Sequence, residues 1–179
     1  MFSNKKIIDY DHAAKLFKKI KSNKKIIHCH GVFDLVHPGH IRHLSFCKSK
    51  ADILIVSITP DKFIKKGIYR PLIPEKMRAN NLSVLELVDY VIIDKFKHPY
   101  NLINKIKPNY FAKGNEYFNS TNPLTEKEKK ILKNFGGKMI FTPGDFVLSS
   151  TKLINENEIN LRYDKLKNLM EVNNYSFEK

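Results

Sequence analysis

Ten residues carry the clearest chemistry: Gly31-Val32-Phe33-Asp34-Leu35-Val36-His37-Pro38-Gly39-His40. Two imidazoles three residues apart fall on the same side of a turn. Both can donate to phosphate oxygens, and both can change charge near neutral pH. Gly31 lets the chain turn sharply, and Gly39 lets a phosphate approach the main chain. If a helix starts here, its N-terminal amides also favour an anion. Phosphoryl-type transfer needs positioning and charge neutralisation more than covalent chemistry, and a His-x-Gly-His turn supplies both. Asp34 either orders the turn by accepting from backbone amides or acts in the site. The competing reading of the histidines is a zinc pair or two structural residues. Zinc needs a third and fourth ligand; His28, His30 and His43 are close in sequence, but no Cys/His spacing supports a site.

The segments around this turn alternate in period. Lys25 to Gly31 reads as a strand ending in glycine, and residues 39–50 have helical spacing at Ile41, Leu44 and Cys47. Asp52 to Ser57 is a continuous apolar run of the kind buried on both faces of a parallel sheet. Pro60 to Pro74 reads as a loop, Glu75 to Leu87 as a helix, and Tyr90 to Ile93 as a strand. Tyr100 to Ile106 is a helix stopped by Pro108. Asn109 to Ala112 is a strand, residues 123–135 a helix ended by Gly136-Gly137, and Lys138 to Phe141 a fifth strand. A last helix starts near Ser149, where three hydroxyls (Ser149, Ser150, Thr151) can cap the helix and hold phosphates. Residues 7–24 read as one amphipathic helix packed outside the sheet, and 156–179 as a polar helix or tail. The fold class is therefore α/β, a doubly wound five-stranded parallel sheet in a single domain spanning residues 25–155. Ligands of such sheets sit beyond the carboxyl ends of the strands, where His30-Gly31, Thr59, Lys113-Gly114 and Thr142-Pro143-Gly144 emerge.

Composition bounds the function less than the turn does. The chain has 179 residues, is 42% hydrophobic and carries a formal net charge of +14. Its basic side chains are almost all lysine; the arginines are Arg42, Arg70, Arg78 and Arg162. The charge favours anionic partners, but the clustered arginines and interleaved aromatics of a nucleic-acid binder are missing. No apolar run suits a membrane helix and the N-terminus lacks a secretory h-region, so a cytoplasmic protein without membrane or nucleic-acid partners is expected. Cys29 and Cys47 have no metal-type spacing and are expected as reduced, buried thiols.

Val32-Phe33-Asp34 followed by His37-Pro38-Gly39-His40 resembles the cytidylyltransferase-like nucleotidyltransferases. The resemblance extends through Ile58-Thr59-Pro60-Asp61, Arg70-Pro71, Arg78, Val88-Asp89-Tyr90-Val91, Lys107-Pro108, Lys113-Gly114, Gly136-Gly137 and Ser149 to Ile154. Within the family the chain is most similar to the adenylyltransferase domain of bacterial ADP-heptose synthases and related surface-polysaccharide (lipopolysaccharide, capsule) enzymes. It lacks the arginine that glycerol-3-phosphate cytidylyltransferases carry shortly before the Ser/Thr motif.

This resemblance implies transfer of a nucleoside monophosphate from ATP or CTP to a phosphorylated sugar or polyol, with release of pyrophosphate. It implies Mg²⁺ held mainly by the NTP phosphates, with no protein metal ligands. His37 and His40 would stabilise the α-phosphate in the transition state, helped by a lysine of the loop after the second strand, Lys65 or Lys66. Gly31, Val32, Phe33, Asp34, Gly39, Lys113, Gly114, Ser149, Ser150 and Thr151 would bind the nucleotide. Arg78, Asn115 and Glu116 are the candidate contacts to the phosphorylated substrate. Relatives are often homodimers, and residues 7–24 or the tail after 156 are candidate interfaces. Three other readings compete: a CTP-dependent cytidylyltransferase for glycerol 3-phosphate or a phosphonate, a non-catalytic nucleotide-binding module, and an RNA-acting protein.

Overall fold

The computed structural model describes residues 5–20, 23–65, 67, 70–119 and 121–143. The chain divides into two units, residues 1–147 and 148–179, and every described residue lies in the first. Lys66, the Ser149-Ser150-Thr151 motif and the polar tail lie outside the described residues.

Five parallel strands form the sheet: β1 (Ile26–Gly31), β2 (Ile53–Ile58), β3 (Tyr90–Ile93), β4 (Tyr110–Lys113) and β5 (Lys138–Phe141). Their order is β3-β2-β1-β4-β5. Helices α1 (Ala13–Ile20), α2 (Pro38–Lys48), α3 (Glu75–Ser83), α4 (Tyr100–Ile106) and α5 (Pro123–Lys133) flank it. β1 is central, with Cys29 in register with Val56 of β2 on one side and Ala112 of β4 on the other. Both neighbours are parallel, so β1 and β2 must bury both faces, which is why β2 is an almost continuous apolar run and why His28 of β1 and Ser57 of β2 are fully buried beside each other.

The two faces have separate cores. Ile27, Cys29, Leu54 and Val56 pack with Leu44 and Cys47 of α2 and Ala79 and Leu82 of α3. Ile26, Ile53 and Ile55 pack on the other face with Ala13 and Phe17 of α1 and Leu102 and Ile106 of α4. Phe111, Ile103 and Leu132 extend this side towards α5. Each fully buried Ile, Leu or Phe contributes about 1.5–3 kcal/mol of transfer free energy. The crossovers from β1 to β3 run over one face and those from β3 to β5 over the other. The winding direction therefore reverses between β1 and β4, which opens a crevice beyond their carboxyl ends.

Three elements differ from the sequence-based expectation. The N-terminal helix begins only at Ala13; before it, Ile7 bridges Val91 in parallel, and the Ile8 amide donates to the Val91 carbonyl at 2.9 Å. The apolar residues Ile7 and Ile8 fit a helical period but extend the sheet edge instead. α3 ends at Ser83 rather than Leu87, because Leu85 and Val88 turn back to pack under β3. A 3₁₀ turn at Asn115–Tyr117 follows β4. Among the described residues, no helix is long and apolar enough to cross a membrane.

Candidate active site at the end of β1

α2 starts where the sequence places the histidine turn. His37 is its N-cap residue in extended conformation, and Pro38 occupies the first helical turn, where its missing N–H costs nothing. The His37 side chain makes no capping bond, so its ring is left for other work. The first intrahelical bond runs from the Ile41 amide to the His37 carbonyl at 3.1 Å. The amides of Gly39 and His40 precede it and point out of the helix end, the usual arrangement for holding an anion.

The two imidazoles stack, with ring centroids 3.8 Å apart and planes inclined at 28°. Phe33 supports the His40 ring from 4.8 Å. Phe33 adopts a positive φ of 50°, the left-handed conformation that reverses the chain directly after β1. His37 is 8% exposed, its Nδ1 has no hydrogen-bond partner among the described residues, and desolvation holds its pKa below the ordinary value. An incoming anion supplies the counter-charge that such a ring lacks, so binding would favour the imidazolium.

A buried polar array lies beneath the turn. Ser57 Oγ is 2.7 Å from both His28 Nε2 and His30 Nδ1, and Thr59 Oγ1 is 3.1 Å from His30 Nε2. Desolvation drives His28 well below its usual pKa, and it drives His30 to about 3, with His98 and Lys113 adding repulsion. Both rings are therefore neutral and structural, and one hydroxyl proton on Ser57 serves the pair.

Other predicted residues occupy firmly bonded positions. The Asp34 carboxylate accepts from the Leu72 amide at 3.1 Å and the Ile73 amide at 2.9 Å, and pairs with Arg70 Nε at 2.7 Å. It thus orders the loop after β2 against the turn. Arg78, expected at the substrate, is fully buried. Its guanidinium donates to the carbonyls of Val32, Ile73 and Thr59 and to the Asp61 carboxylate, the last at 2.6 Å. These bonds make it a brace between the turn, the end of β2 and α3, with its donors committed within the protein. Asp61 and Glu75 close the same region by accepting each other's backbone amides at 2.8 and 2.9 Å.

Lys113 emerges from β4 beside His30, across the crevice. Its ammonium lies 2.6 Å from Glu128 Oε2 and 3.1 Å from Thr125 Oγ1, with the Tyr117 ring centroid at 4.4 Å. Gly114 and the 3₁₀ residues Asn115 and Glu116 line the same edge. Lys65 stands exposed in the loop after β2. An open hollow of about 560 Å³ borders Val36, His37, Pro38, Ile41 and Arg42, and a larger one of about 710 Å³ lies off β2 and β3. Sequence reasoning did not single out Arg70 as a site residue. It is 8% exposed, and its two terminal nitrogens meet no acceptor among the described residues. Its place beside Asp34 depends on a long-range contact that has no local signal.

A parallel sheet whose switch-point crevice is closed by a His-x-Gly-His helix start defines the nucleotidyltransferase class. The family model described as cytidylyltransferase-like matches residues 28–156. The chain belongs to the cytidylyltransferase-like family. It is 35% identical to the bifunctional protein HldE of Geobacter metallireducens over 140 residues, covering 76% of this chain and 28% of that one. Against HldE of Aliarcobacter butzleri the identity is 35% over 161 residues, covering 87% and 32%. The chain therefore spans about a third or less of these relatives' length. Among solved structures, a lipopolysaccharide core biosynthesis protein from Thermoplasma volcanium shares the fold with a TM-score of 0.60 at 24% identity, covering 69% of this chain and all of that one.

Proposed function

We propose that the chain transfers a nucleoside monophosphate from an NTP to a phosphorylated sugar or polyol and releases pyrophosphate, as in ADP-heptose synthesis for surface polysaccharide. The observation that carries this reading is the stacked His37–His40 pair at the open N-terminus of α2, set at the β1/β4 switch point. The acceptor's phosphate oxygen attacks the α-phosphorus of the NTP in line, the bond to the bridging oxygen breaks, and pyrophosphate leaves with that electron pair. Charge grows on the α-phosphate oxygens during this step. The imidazoles of His37 and His40 and the amides at the helix start would donate to those oxygens, and groups held in place by the fold need little reorganisation to do so. Their value lies in stabilising the transition state more than the bound nucleotide.

The donor set around the turn suits phosphate rather than a protein-held cation. Asp34 is occupied by two amides and Arg70, and Asp61 by Arg78 and the Glu75 amide. Mg²⁺ would rest mainly on the triphosphate, bridging its oxygens and offsetting their charge. Lys65 or Lys66 would neutralise the transferring phosphates when the loop closes over the nucleotide. The HldE relatives favour the heptose-like branch and ATP; CTP with glycerol 3-phosphate or a phosphonate is the second reading, favoured by the family description alone. Both readings place a homodimer and a cytoplasmic location among the expectations.

Calorimetric titration with ATP and CTP in parallel, each with Mg²⁺, separates the branches. Tighter ATP binding followed by pyrophosphate release with a sugar 1-phosphate is the expected result. Tighter CTP binding moves the chain to the second branch. Nucleotide binding with no pyrophosphate from any phosphorylated acceptor would instead leave a binding module.

A further inference from the structure

We propose that Cys29, His43 and Cys47 form a binding site for a thiophilic d¹⁰ cation of the Zn²⁺ type, on the α2 face of β1 and separate from the nucleotide crevice. Cys29 Sγ lies 3.3 Å from Cys47 Sγ, and Cys47 Sγ lies 3.8 Å from His43 Nε2. All three donor atoms fall within 4.8 Å of one another. Tetrahedral zinc, with Zn–S near 2.3 Å and Zn–N near 2.0–2.1 Å, sets its ligand atoms ~3.5–3.8 Å apart. Only shifts of a few tenths of an ångström to about one separate the observed triangle from that geometry. Both cysteines are fully buried. His43 is half-buried, which gives the cation a side from which to enter.

In the proposed site His43 takes the Nδ1–H tautomer, which leaves Nε2 to the cation. Thr142 donates its hydroxyl proton to the Lys113 carbonyl at 3.3 Å, so its lone pairs face His43 Nδ1, with which it hydrogen-bonds. With the hydroxyl proton given to that carbonyl, Nδ1 donates to Thr142 Oγ1 and Nε2 keeps its lone pair on the side of the two sulfurs. An outer hydrogen bond that orients a ligating imidazole in this way is the usual accompaniment of a metal site. His43 and Cys47 are one helical turn apart on α2, while Cys29 comes from the strand, so the set has no motif spacing and is assembled only by the packing of α2 on β1. Binding exchanges two thiol protons for one cation, M²⁺ + 2 Cys–SH → M(S–Cys)₂ + 2 H⁺, with the fourth position left to water. The bound cation would pin α2 to β1 close behind the histidine turn.

Titration of the reduced, anaerobic protein with Co²⁺ tests the site. The expected result is a thiolate-to-cobalt charge-transfer band saturating at roughly one equivalent, reversed by Zn²⁺ and lost in Cys47→Ala. The chain contains only two cysteines. A two-thiolate spectrum from the wild-type protein therefore identifies this cluster even if Cys47→Ala fails to fold. Folded wild-type protein with no charge-transfer band overturns the proposal. So does a band unchanged in folded Cys47→Ala, or conversion of both thiols to a disulfide with no cation retained, which would make the pair redox-active instead.

Discussion

The turn at residues 31–40 and the brace at residues 59–78 both bring cationic or ionisable groups to the same edge of the sheet, yet they use them in opposite ways. In the brace, Arg78 has four bonds to protein acceptors and Asp61 is satisfied by Arg78 and the Glu75 amide. In the turn, His37 is desolvated, makes no capping bond and keeps an Nδ1 with no partner among the described residues. A charged group whose donors are consumed holds shape; a polar group left wanting a partner is poised for a ligand. The difference follows from the acceptors within reach, because an arginine at the root of α3 meets three strand-end and loop carbonyls, whereas the buried His37 Nδ1 at the tip of α2 meets no partner among the described residues.

The largest expected effect breaks the turn alone. His40→Ala should lower the rate of pyrophosphate release by about 10²–10⁴-fold, the usual loss when a proton-donating or charge-stabilising side chain is removed. Its denaturation midpoint should stay close to wild type, since the ring packs on Phe33 and His37 at an open helix end. Turnover equal to wild type would remove the turn from the chemistry.

Breaking the brace should do the reverse. Arg78→Met leaves Asp61 and three carbonyls without their donor in the interior, at a cost of about 3–5 kcal/mol. Equilibrium denaturation in urea measures it. Arg78→Lys should recover little, because one ammonium on a flexible stem cannot serve the four acceptors that a planar guanidinium spans. A stable Arg78→Met protein that has lost only substrate affinity would return Arg78 to the ligand side of the comparison.

Acid separates the regions next. His28 and His30 have folded pKa values below the unfolded 6.5, His30 at about 3. The unfolded chain therefore binds their protons first. The stability these rings contribute is complete above pH ~6.5 and is lost as pH falls towards their folded values, on the order of 1 kcal/mol per pH unit per histidine. Asp94, pushed up to about 6 by burial, opposes this below pH ~6, because the folded state then holds the extra proton. The Glu128 carboxyl, also raised by burial, acts in the same sense as Asp94, but the lowered imidazoles of His28, His30, His37 and His98 outnumber the two carboxyls and leave a net loss. Melting temperatures measured from pH 7.5 to 4.5 should fall, and His30→Gln should flatten the slope; an equal slope in both proteins would mean that the Ser57 array is solvated.

The sheet was legible because β2 is a nearly continuous apolar run, β1 ends in a glycine, and the helices between strands keep their period. The histidine turn was legible because its chemistry lies within ten consecutive residues. Arg78 was misplaced because burial of a guanidinium requires acceptors from Val32 and Thr59, which are distant in sequence. The Cys29–His43–Cys47 cluster was hidden for the same reason: a strand and a helix contribute to it, and only their packing sets the spacing. Ile7 and Ile8 were read as helix because two apolar residues fit either period until a free sheet edge is available to them.

Lys113 stands between the two regions, and the smallest predicted effect decides which it belongs to. Its side chain is 13% exposed and already paired with that of Glu128, which is 6% exposed. Burial raises the Glu128 pKa even with Lys113 present. In Lys113→Met the carboxyl can therefore take up a proton instead of remaining as an unpaired buried charge, which limits the loss to about 1–2 kcal/mol. The loss should be larger at pH 8, where protonation is costly, than at pH 5, where it is nearly free. If Lys113 only braces α5 against β4, the KM for nucleotide should remain at the wild-type value while stability shows this pH dependence. If the ammonium leaves Glu128 to meet a phosphate, KM should rise with little change in kcat, since an interaction made equally in ground and transition states alters binding alone.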